Sequence, residues 1–246
     1  YQRASLGGLL TPHKILLVGQ WRTGHAPAPT PDVPQLLLSS DQAASLYGLG
    51  SMLHIMAIAA FAGCRNVPVY ALPVAAAGGA GTATGTINPA ITTVTAGTIS
   101  LYIAGKRVAV SVAAGATEDD VCDAIAAAIN ARTELPVTAD SDSTSVVLTA
   151  KWAGLTGNDI DISLDLGDGE VDAEPGGITW VITAMAAGAT DPTIDTSLAA
   201  LDDTWYTEIV CPYTADAQLD DIEDCGDARV LAGVQRPFAG FAGYNG

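Results

Sequence analysis

The sequence predicts an α/β core that is interrupted by a small inserted α+β domain with an antiparallel sheet. Near both ends of the chain, short apolar runs alternate with helical segments, which is typical of strands buried in a parallel sheet. Two stretches of small residues are interpreted as linkers: 75–85, which has nothing to pack, and 186–192. The pattern between them is rich in strands. We therefore expect a core in two parts, 1–81 and 188–246, separated by an inserted domain at 82–187.

The first part of the core is predicted to form a β-α-β unit. Residues 13–19 are an apolar run that ends in glycine, as a buried strand does. After a proline-rich loop, the two serines and the aspartate at 39–41 offer N-cap oxygens to one helix, which would end at a left-handed Gly63. Residues 67–72 are the second strand. Two strands joined through a helix indicate a parallel crossover.

The inserted domain is predicted from a hairpin, a helix and three further strands. Residues 97–112 are two strand-like runs around Ala104-Gly-Lys106, where the glycine favours a tight turn. Thr117 and the acids that follow it precede a helix over 121–132, so negative charge lies at the positive end of the helix dipole. The three further strands are predicted at 146–150, 160–166 and 178–185.

The second part of the core resumes the alternation of strands and helices. Residues 191–201 predict a short helix, 206–211 a third buried strand, and 215–225 another helix. Together with the first part, this order is typical of an α/β protein.

The charge of the chain disfavours two classes of partner. Its 246 residues include 27 acidic and 10 basic side chains, a formal net charge of −17. Such a surface repels nucleic acid and anionic membranes. The acids are concentrated after residue 75, since 1–75 holds four bases and two acids, 76–190 four bases and 14 acids, and 191–246 two bases and 11 acids. The first segment is therefore expected to present a different kind of surface.

The cysteine pattern predicts no disulfide bond, and the apolar stretches predict neither a secretion signal nor a membrane-spanning helix. Cys64, Cys122, Cys211 and Cys225 form no CxxC pair, so we expect them to be reduced and mostly buried. No charged segment followed by an apolar segment precedes the first strand, so no secretion signal is expected within this sequence. The apolar stretch 49–61 is shorter than the ~20 residues of a bilayer span and predicts a buried helix.

The segment Gly19-Gln-Trp-Arg-Thr-Gly24 has the glycine spacing of a phosphate-binding loop and directly follows a predicted strand. Such a loop continues with a lysine, a serine or threonine, and a helix whose N-terminus holds the anion. Here His25, Ala26 and a series of prolines follow instead. We interpret the segment as an extended surface loop, and no nucleotide cofactor is expected.

Other candidate chemistry is equally weak. His13, His25 and His54 fall on a strand edge, a loop and a helix, with no serine or cysteine motif beside them. Residues 165–174 are dense in carboxylates, but their order does not match a calcium-binding EF-hand loop. These residues, Asp140, Asp142 and the acids at 220–224 are interpreted as solvated surface. The sequence thus predicts no catalytic, cofactor-binding or metal site.

Five strings of the sequence resemble segments of the contractile tail sheath proteins of Mu-like phages. One is Pro12-His-Lys-Ile-Leu-Leu-Val-Gly-Gln20, which opens the core, and another includes Ser100-Leu-Tyr-Ile-Ala-Gly105. The full set lies at 12–20, 67–73, 97–112, 148–162 and 206–213. They occur in the order of that family and cover most of the chain, which is therefore identified as a member.

The resemblance implies a structural protein and no enzyme. Sheath subunits of that family stack as six-subunit rings around a rigid tail tube and contract to drive the tube through a cell envelope. The implied partners are other sheath subunits and the tail tube protein, and the implied location is the virion tail, assembled in the cytoplasm of the host bacterium. No catalytic residue carries over.

Both ends of the sequence depart from the family pattern, because the usual extension before Pro12 and the C-terminal region beyond Gly246 are not in it. The resemblance implies that those parts carry the arms that add strands to neighbouring subunits and the surface that grips the tube. We therefore expect these residues alone to be monomeric. The alternative from another class is a surface adhesin or receptor-binding module of a phage particle, since an acidic α+β domain could hold host sugars.

Overall fold

The computed structural model describes residues 13–64, 66–164 and 175–243. Within these ranges the strands are β1 (Ile15–Gln20), β2 (Gln35–Leu37), β3 (Val69–Val74), β4 (Thr82–Ile91), β5 (Gly97–Ile103), β6 (Lys106–Val112), β7 (Val137–Ser141), β8 (Val146–Ala153), β9 (Ile162–Leu164), β10 (Ile178–Ala186), β11 (Glu208–Cys211) and β12 (Ala239–Ala242). The helices are α1 (Ser40–Tyr47), α2 (Met52–Gly63), α3 (Glu118–Ala131), α4 (Asp195–Ala199) and α5 (Asp216–Val230), with a 3-10 helix at Leu155–Asp159. No described helix is long and apolar enough to cross a bilayer.

Strands from the two ends of the described chain form one five-stranded sheet, which we call the parallel sheet. Its order is β12-β11-β1-β3-β2, and β1 pairs in parallel with both β3 and β11. Strand β12 is parallel to β11, whereas β2 runs antiparallel to β3. The predicted β-α-β crossover from β1 to β3 is confirmed, and so is the buried strand that resumes the core.

The prediction of one helix from residues 39–41 to Gly63 is wrong, because the chain forms α1 and α2 with a break between them. Gly48 and Gly50 in the break have φ of 89° and 74°, which leave the helical region. Ser51 then starts α2 by accepting a hydrogen bond from the His54 backbone N–H. Gly63 is the last residue of α2 and not a left-handed cap, since the C-cap is Cys64 at φ −119°.

In the middle region, residues 82–187, the described residues form two antiparallel sheets where one was predicted. Their orders are β10-β4-β8-β7 and β6-β5-β9. The predicted hairpin is confirmed, with Ala104 and Gly105 at φ 49° and 71° between β5 and β6. The predicted start of α3 is confirmed as well, because Thr117 caps it in a reciprocal capping box with Asp120.

Strand β4 corrects the interpretation of residues 75–85 as a linker with nothing to pack. The stretch runs into β4, which lies between β10 and β8 in the four-stranded sheet. At Gly85 an added Cβ would lie 2.9 Å from both Ile162 Cδ1 and Met185 Sδ. A small residue here therefore permits close packing, and its smallness does not indicate a flexible connection.

Several other bounds differ from the prediction. Strands β2, β7 and β12 were not predicted; β2 and β12 are short strands at the edges of the parallel sheet. Helix α4 is shorter than the predicted 191–201, whereas α5 extends five residues beyond 225 to Val230. The last two residues of the strand predicted at 160–166 lie outside the described residues.

The core is continuous between the parallel sheet and the middle region. Strand β1 is buried on both faces, so its alternating side chains enter two clusters. Leu16 and Val18 belong to a large cluster that also contains Leu101 of β5 and Ile87 of β4. Ile15 and Leu17 belong to a second cluster, on the side covered by α1 and α2. The middle region thus shares a core with the sheet that it interrupts.

Candidate functional site

The loop after β1 lacks the architecture of a phosphate-binding loop. Gly19 lies within β1, paired with Pro73, and Gly24 has φ 75° in the loop that follows. The chain next enters β2, and the first helix begins only at Ser40. The loop is therefore not followed directly by a helix N-terminus that could face a phosphate.

The three histidines lie in separate parts of the fold. His13 is exposed before β1, with Nδ1 3.3 Å from Glu208 Oε1, and His25 lies in the loop after β1. His54 is buried in α2, and its Nδ1 accepts a hydrogen bond of 2.9 Å from the Gly50 N–H. Throughout the described ranges, no group of three or more histidine, cysteine or acidic side chains is placed to hold a metal ion. The four cysteines are free thiols; Cys122 and Cys211 are buried.

Some of the acids interpreted as solvated surface also hold the backbone. Asp142 Oδ1 accepts hydrogen bonds from the N–H groups of Thr144 and Ser145, both 2.8 Å, and these bonds lower the pKa of the carboxyl. Asp221 Oδ2 accepts a bond of 3.2 Å from the Ile194 N–H. The acidic stretch 165–174 lies outside the described residues.

Polar side chains fix the parallel sheet to the middle region. Gln20 Nε2, at the end of β1, donates a 2.8 Å hydrogen bond to the Ala153 carbonyl at the end of β8. Asp191 Oδ1 accepts a 2.7 Å bond from the Leu155 N–H, and burial raises the pKa of this carboxyl. The Asn158 side chain bonds both the N–H and the carbonyl of Gly188. These buried bonds hold the two regions in one arrangement.

A buried lysine lies at the same junction. Lys151 of β8 is 6% exposed, and its Nζ donates a 2.8 Å hydrogen bond to the Thr133 carbonyl. Burial, and after it the charge of Arg22, lowers the pKa of Lys151 to about 8. Burial and the charge of Lys151 in turn lower the pKa of His54. An added Cβ at Gly50 would lie 2.2 Å from the Leu135 carbonyl oxygen and 2.5 Å from Lys151 Nζ, so the backbone around the ammonium leaves no room for a side chain here.

The outer edge of the parallel sheet is exposed at β12. All four residues of this strand are exposed, and Phe241 is 53% exposed. The N–H groups of Ala239 and Gly243 bond carbonyls of Thr207 and Cys211 on the β11 side, so by alternation those of Gly240 and Ala242 face outward. Among the described residues, no strand pairs with this outer side. An unpaired edge of this kind can accept a strand from another chain.

Comparison with known proteins finds a relative that aligns with most of this chain. The chain is 32% identical over 203 residues to the Mu-like prophage FluMu tail sheath protein of Haemophilus influenzae, and the match covers 82% of this chain. The chain is therefore a relative of the Mu-like tail sheath proteins. The resemblance carried by the five strings is thereby confirmed. No family model matches this chain.

The chain spans 41% of the length of that relative. A solved structure, the sheath tail protein Lin1278 from Listeria innocua, is 11% identical with a TM-score of 0.33, covering 89% of this chain and 44% of that chain.

Sequence reasoning missed two features, the buried Lys151 and the exposed strand β12. The signal for Lys151 was present, because one basic residue interrupts an otherwise uncharged strand, Val-Val-Leu-Thr-Ala-Lys-Trp-Ala. The signal for β12 was weak, since Ala-Gly-Phe-Ala is short, exposed and rich in residues with low strand propensity.

Proposed function

We propose that this chain is part of a structural subunit of a contractile phage tail sheath. The subunit polymerises around the tail tube and contracts to drive the tube through the host envelope. Relationship to a Mu-like tail sheath protein over 82% of the chain is the observation that carries the proposal. No catalytic step belongs to it.

The edge of the parallel sheet supports lateral assembly. Gly240 and Ala242 of β12 point their N–H groups away from β11, which is the arrangement that pairs with an added strand. Main-chain pairing gives a connection that survives a change in the angle between subunits, provided that the linking arm is flexible. Contraction without an enzyme requires such rigid bodies to dock again in a second arrangement.

The topology supports a division into a core and an inserted domain. Residues 1–81 and 188–246 form the sheath core domain in this proposal, because strands from both ranges meet in the parallel sheet. Residues 82–187 form the inserted α+β domain. Its excess of carboxylates suits a surface that faces water and keeps a crowded filament soluble.

The partners in this proposal are other sheath subunits and the tail tube protein, and neither nucleic acid nor membrane is among them. Assembly takes place in the cytoplasm of the host bacterium, and the product is part of the virion tail. The 246 residues by themselves are monomeric in this proposal.

Electron microscopy of the complete protein that carries this chain tests the proposal, with and without its tube partner. The expected result is regular tubes of stacked rings from the complete protein, and monomers of the 246-residue chain by light scattering. A complete protein that forms no tubes but binds host glycans on an array contradicts the proposal and favours a receptor-binding role.

A further inference from the structure

A small basic pocket lies where the loop after β1 meets β8 and the end of α3. Its volume is about 250 Å³, and we call it the basic pocket. Three cationic side chains line it, Arg22, Arg132 and Lys151, together with Asn130, Thr133 and Leu49. Arg22, Asn130, Thr133 and Leu49 are exposed, so the pocket opens to solvent.

Among the described residues, two of the three cations in the basic pocket have no ion pair with a carboxylate. Arg132 is paired, because its Nε lies 2.6 Å from Glu134 Oε1 and its Nη1 donates to the Arg107 carbonyl. Lys151 Nζ donates only to the Thr133 carbonyl, and Arg22 forms no ion pair within the described residues. A buried ammonium next to a second uncompensated cation is unfavourable unless an anion completes the site.

This local excess of positive charge contrasts with the rest of the chain. The net charge is −17, with 27 acidic against 10 basic side chains, so any copy offers many more carboxylates than cations. The loop that carries Arg22 is held against β8, because the Thr23 N–H donates a 2.8 Å hydrogen bond to the Lys151 carbonyl. The two cations are therefore kept together by the backbone and are not a chance meeting of flexible side chains.

We propose that the basic pocket binds a carboxylate, and that an acidic side chain of a second copy of this chain supplies it. The second part rests on the proposed function, in which copies pack side by side. A guanidinium and an ammonium are the groups that hold a carboxylate in proteins, by a fork of parallel N–H bonds and by a point charge. The Thr133 hydroxyl at the rim adds a neutral donor, whereas the Asn130 amide is bound to the backbone of Ala139 and shapes the wall of the pocket.

Acetate titration of the 246-residue chain tests the first part. Acetate at constant ionic strength, with chloride as the reference salt, should raise the midpoint of thermal unfolding. The response should disappear in the double variant Arg22→Gln, Lys151→Met and be reduced in Arg22→Gln alone, which changes an exposed residue and keeps the fold. Arg236→Gln is the control, since this arginine is already paired with Asp203 elsewhere on the surface.

Three outcomes overturn the carboxylate site. They are an acetate response no larger than that of chloride in the unchanged chain, an equal response in Arg22→Gln, and a response to inorganic phosphate without one to acetate. The last of these would assign the pocket to a different class of anion.

Assembly of the complete protein tests the source of the carboxylate. Arg22→Gln should raise the protein concentration needed for tube formation about tenfold, as expected for loss of one interfacial charge pair, and Arg236→Gln should not. Equal assembly of Arg22→Gln and the unchanged protein overturns the second copy as the source. If the unchanged protein forms no tubes, the proposed function fails, and acetate binding to the 246-residue chain still decides whether the pocket is a carboxylate site.

Discussion

The parallel sheet and the middle region are built from contacts of very different range. In the parallel sheet, Lys14 and Thr207 are joined by three hydrogen bonds across 193 residues, and β1 pairs with β11 from the far part of the described chain. In the middle region, β5 and β6 are joined by a two-residue turn, and α3 starts in its own capping box. The sheet that depends on distant pairing ends in the exposed strand β12. We infer that the fold of the middle region is specified largely by residues close in sequence. The parallel sheet, in contrast, is the place where strand pairing can continue into another chain.

Substitutions in the core shared by the two regions should have the largest effect on the free energy of unfolding. Leu16→Ala in the parallel sheet and Leu101→Ala in the middle region should each lower the free energy of unfolding by about 3 kcal/mol, since both side chains are fully buried in one cluster. Urea unfolding followed by circular dichroism and by tryptophan fluorescence should give one transition that both variants shift. Leu38→Ala, at a side chain that is 76% exposed, is the control. Two transitions, each shifted by only one variant, would show that the regions unfold separately.

A substitution where the break between α1 and α2 contacts the middle region should have the second largest effect on stability. At Gly50 an added Cβ would lie 2.2 Å from the Leu135 carbonyl oxygen, and φ is 74°. Gly50→Ala should therefore destabilise the protein by about 2 kcal/mol. Gly63→Ala is the matched control, because that glycine is helical with open space around it and should gain about 0.5 kcal/mol. Equal midpoints of thermal unfolding for the two variants would contradict this view of the junction.

The buried lysine predicts a dependence of stability on pH. The pKa of Lys151 falls from 10.5 to about 8 on folding, so above about pH 8 the unfolded chain holds a proton that the folded chain has released. Stability should therefore rise with pH between about 8 and 10.5. The unchanged chain should gain about 1 kcal/mol relative to Lys151→Met between pH 7 and 9.

Denaturant unfolding of both proteins at the two pH values measures this difference, and the titration of cysteines and tyrosines cancels in it. A constant difference would mean that Lys151 keeps an ordinary pKa in the folded protein.

Substitutions at the helix caps should have the smallest effect on stability, and they allow a direct comparison of one helix in each region. Thr117 caps α3, whereas α5 follows Ala215, which has an extended backbone and no side-chain cap. Thr117→Ala should cost about 1 kcal/mol, and Ala215→Ser should gain about 0.5 kcal/mol. Thermal unfolding of both variants measures the two shifts. A gain at both positions, or a loss at both, would contradict the assignment of the caps.

Local signals explain which parts of the fold could be predicted. The β5–β6 hairpin and the start of α3 are specified by neighbouring residues, Ala104-Gly105 and Thr117 with Asp120, so the sequence alone was sufficient. The break between α1 and α2 had a local signal too, in Gly48, Gly50 and Ser51, but the apolar pattern through it favoured one helix.

Other features depend on partners far away in the sequence. From the sequence alone, Gly85 is interpreted as part of a linker. The structure shows that a glycine is needed there because Ile162 and Met185, on other strands, pack against it. Lys151 is a second example. It lies on β8, whereas its neighbours Thr133 and Arg22 follow α3 and β1, so the sequence around Lys151 does not show them. Sequence reasoning identified the family from ordered strings, and it could not find a site whose residues are assembled only by folding.

The central claim is that the outer edge of the parallel sheet joins subunits, and one substitution tests it most directly. Ala242→Pro removes an N–H that faces outward from β12 and leaves the bond between Gly243 and Cys211 in place, whereas Ala242→Val keeps that N–H. Electron microscopy of the complete protein should show regular tubes for the unchanged protein and for Ala242→Val, and none for Ala242→Pro. Tubes of Ala242→Pro that match those of the unchanged protein would contradict the claim.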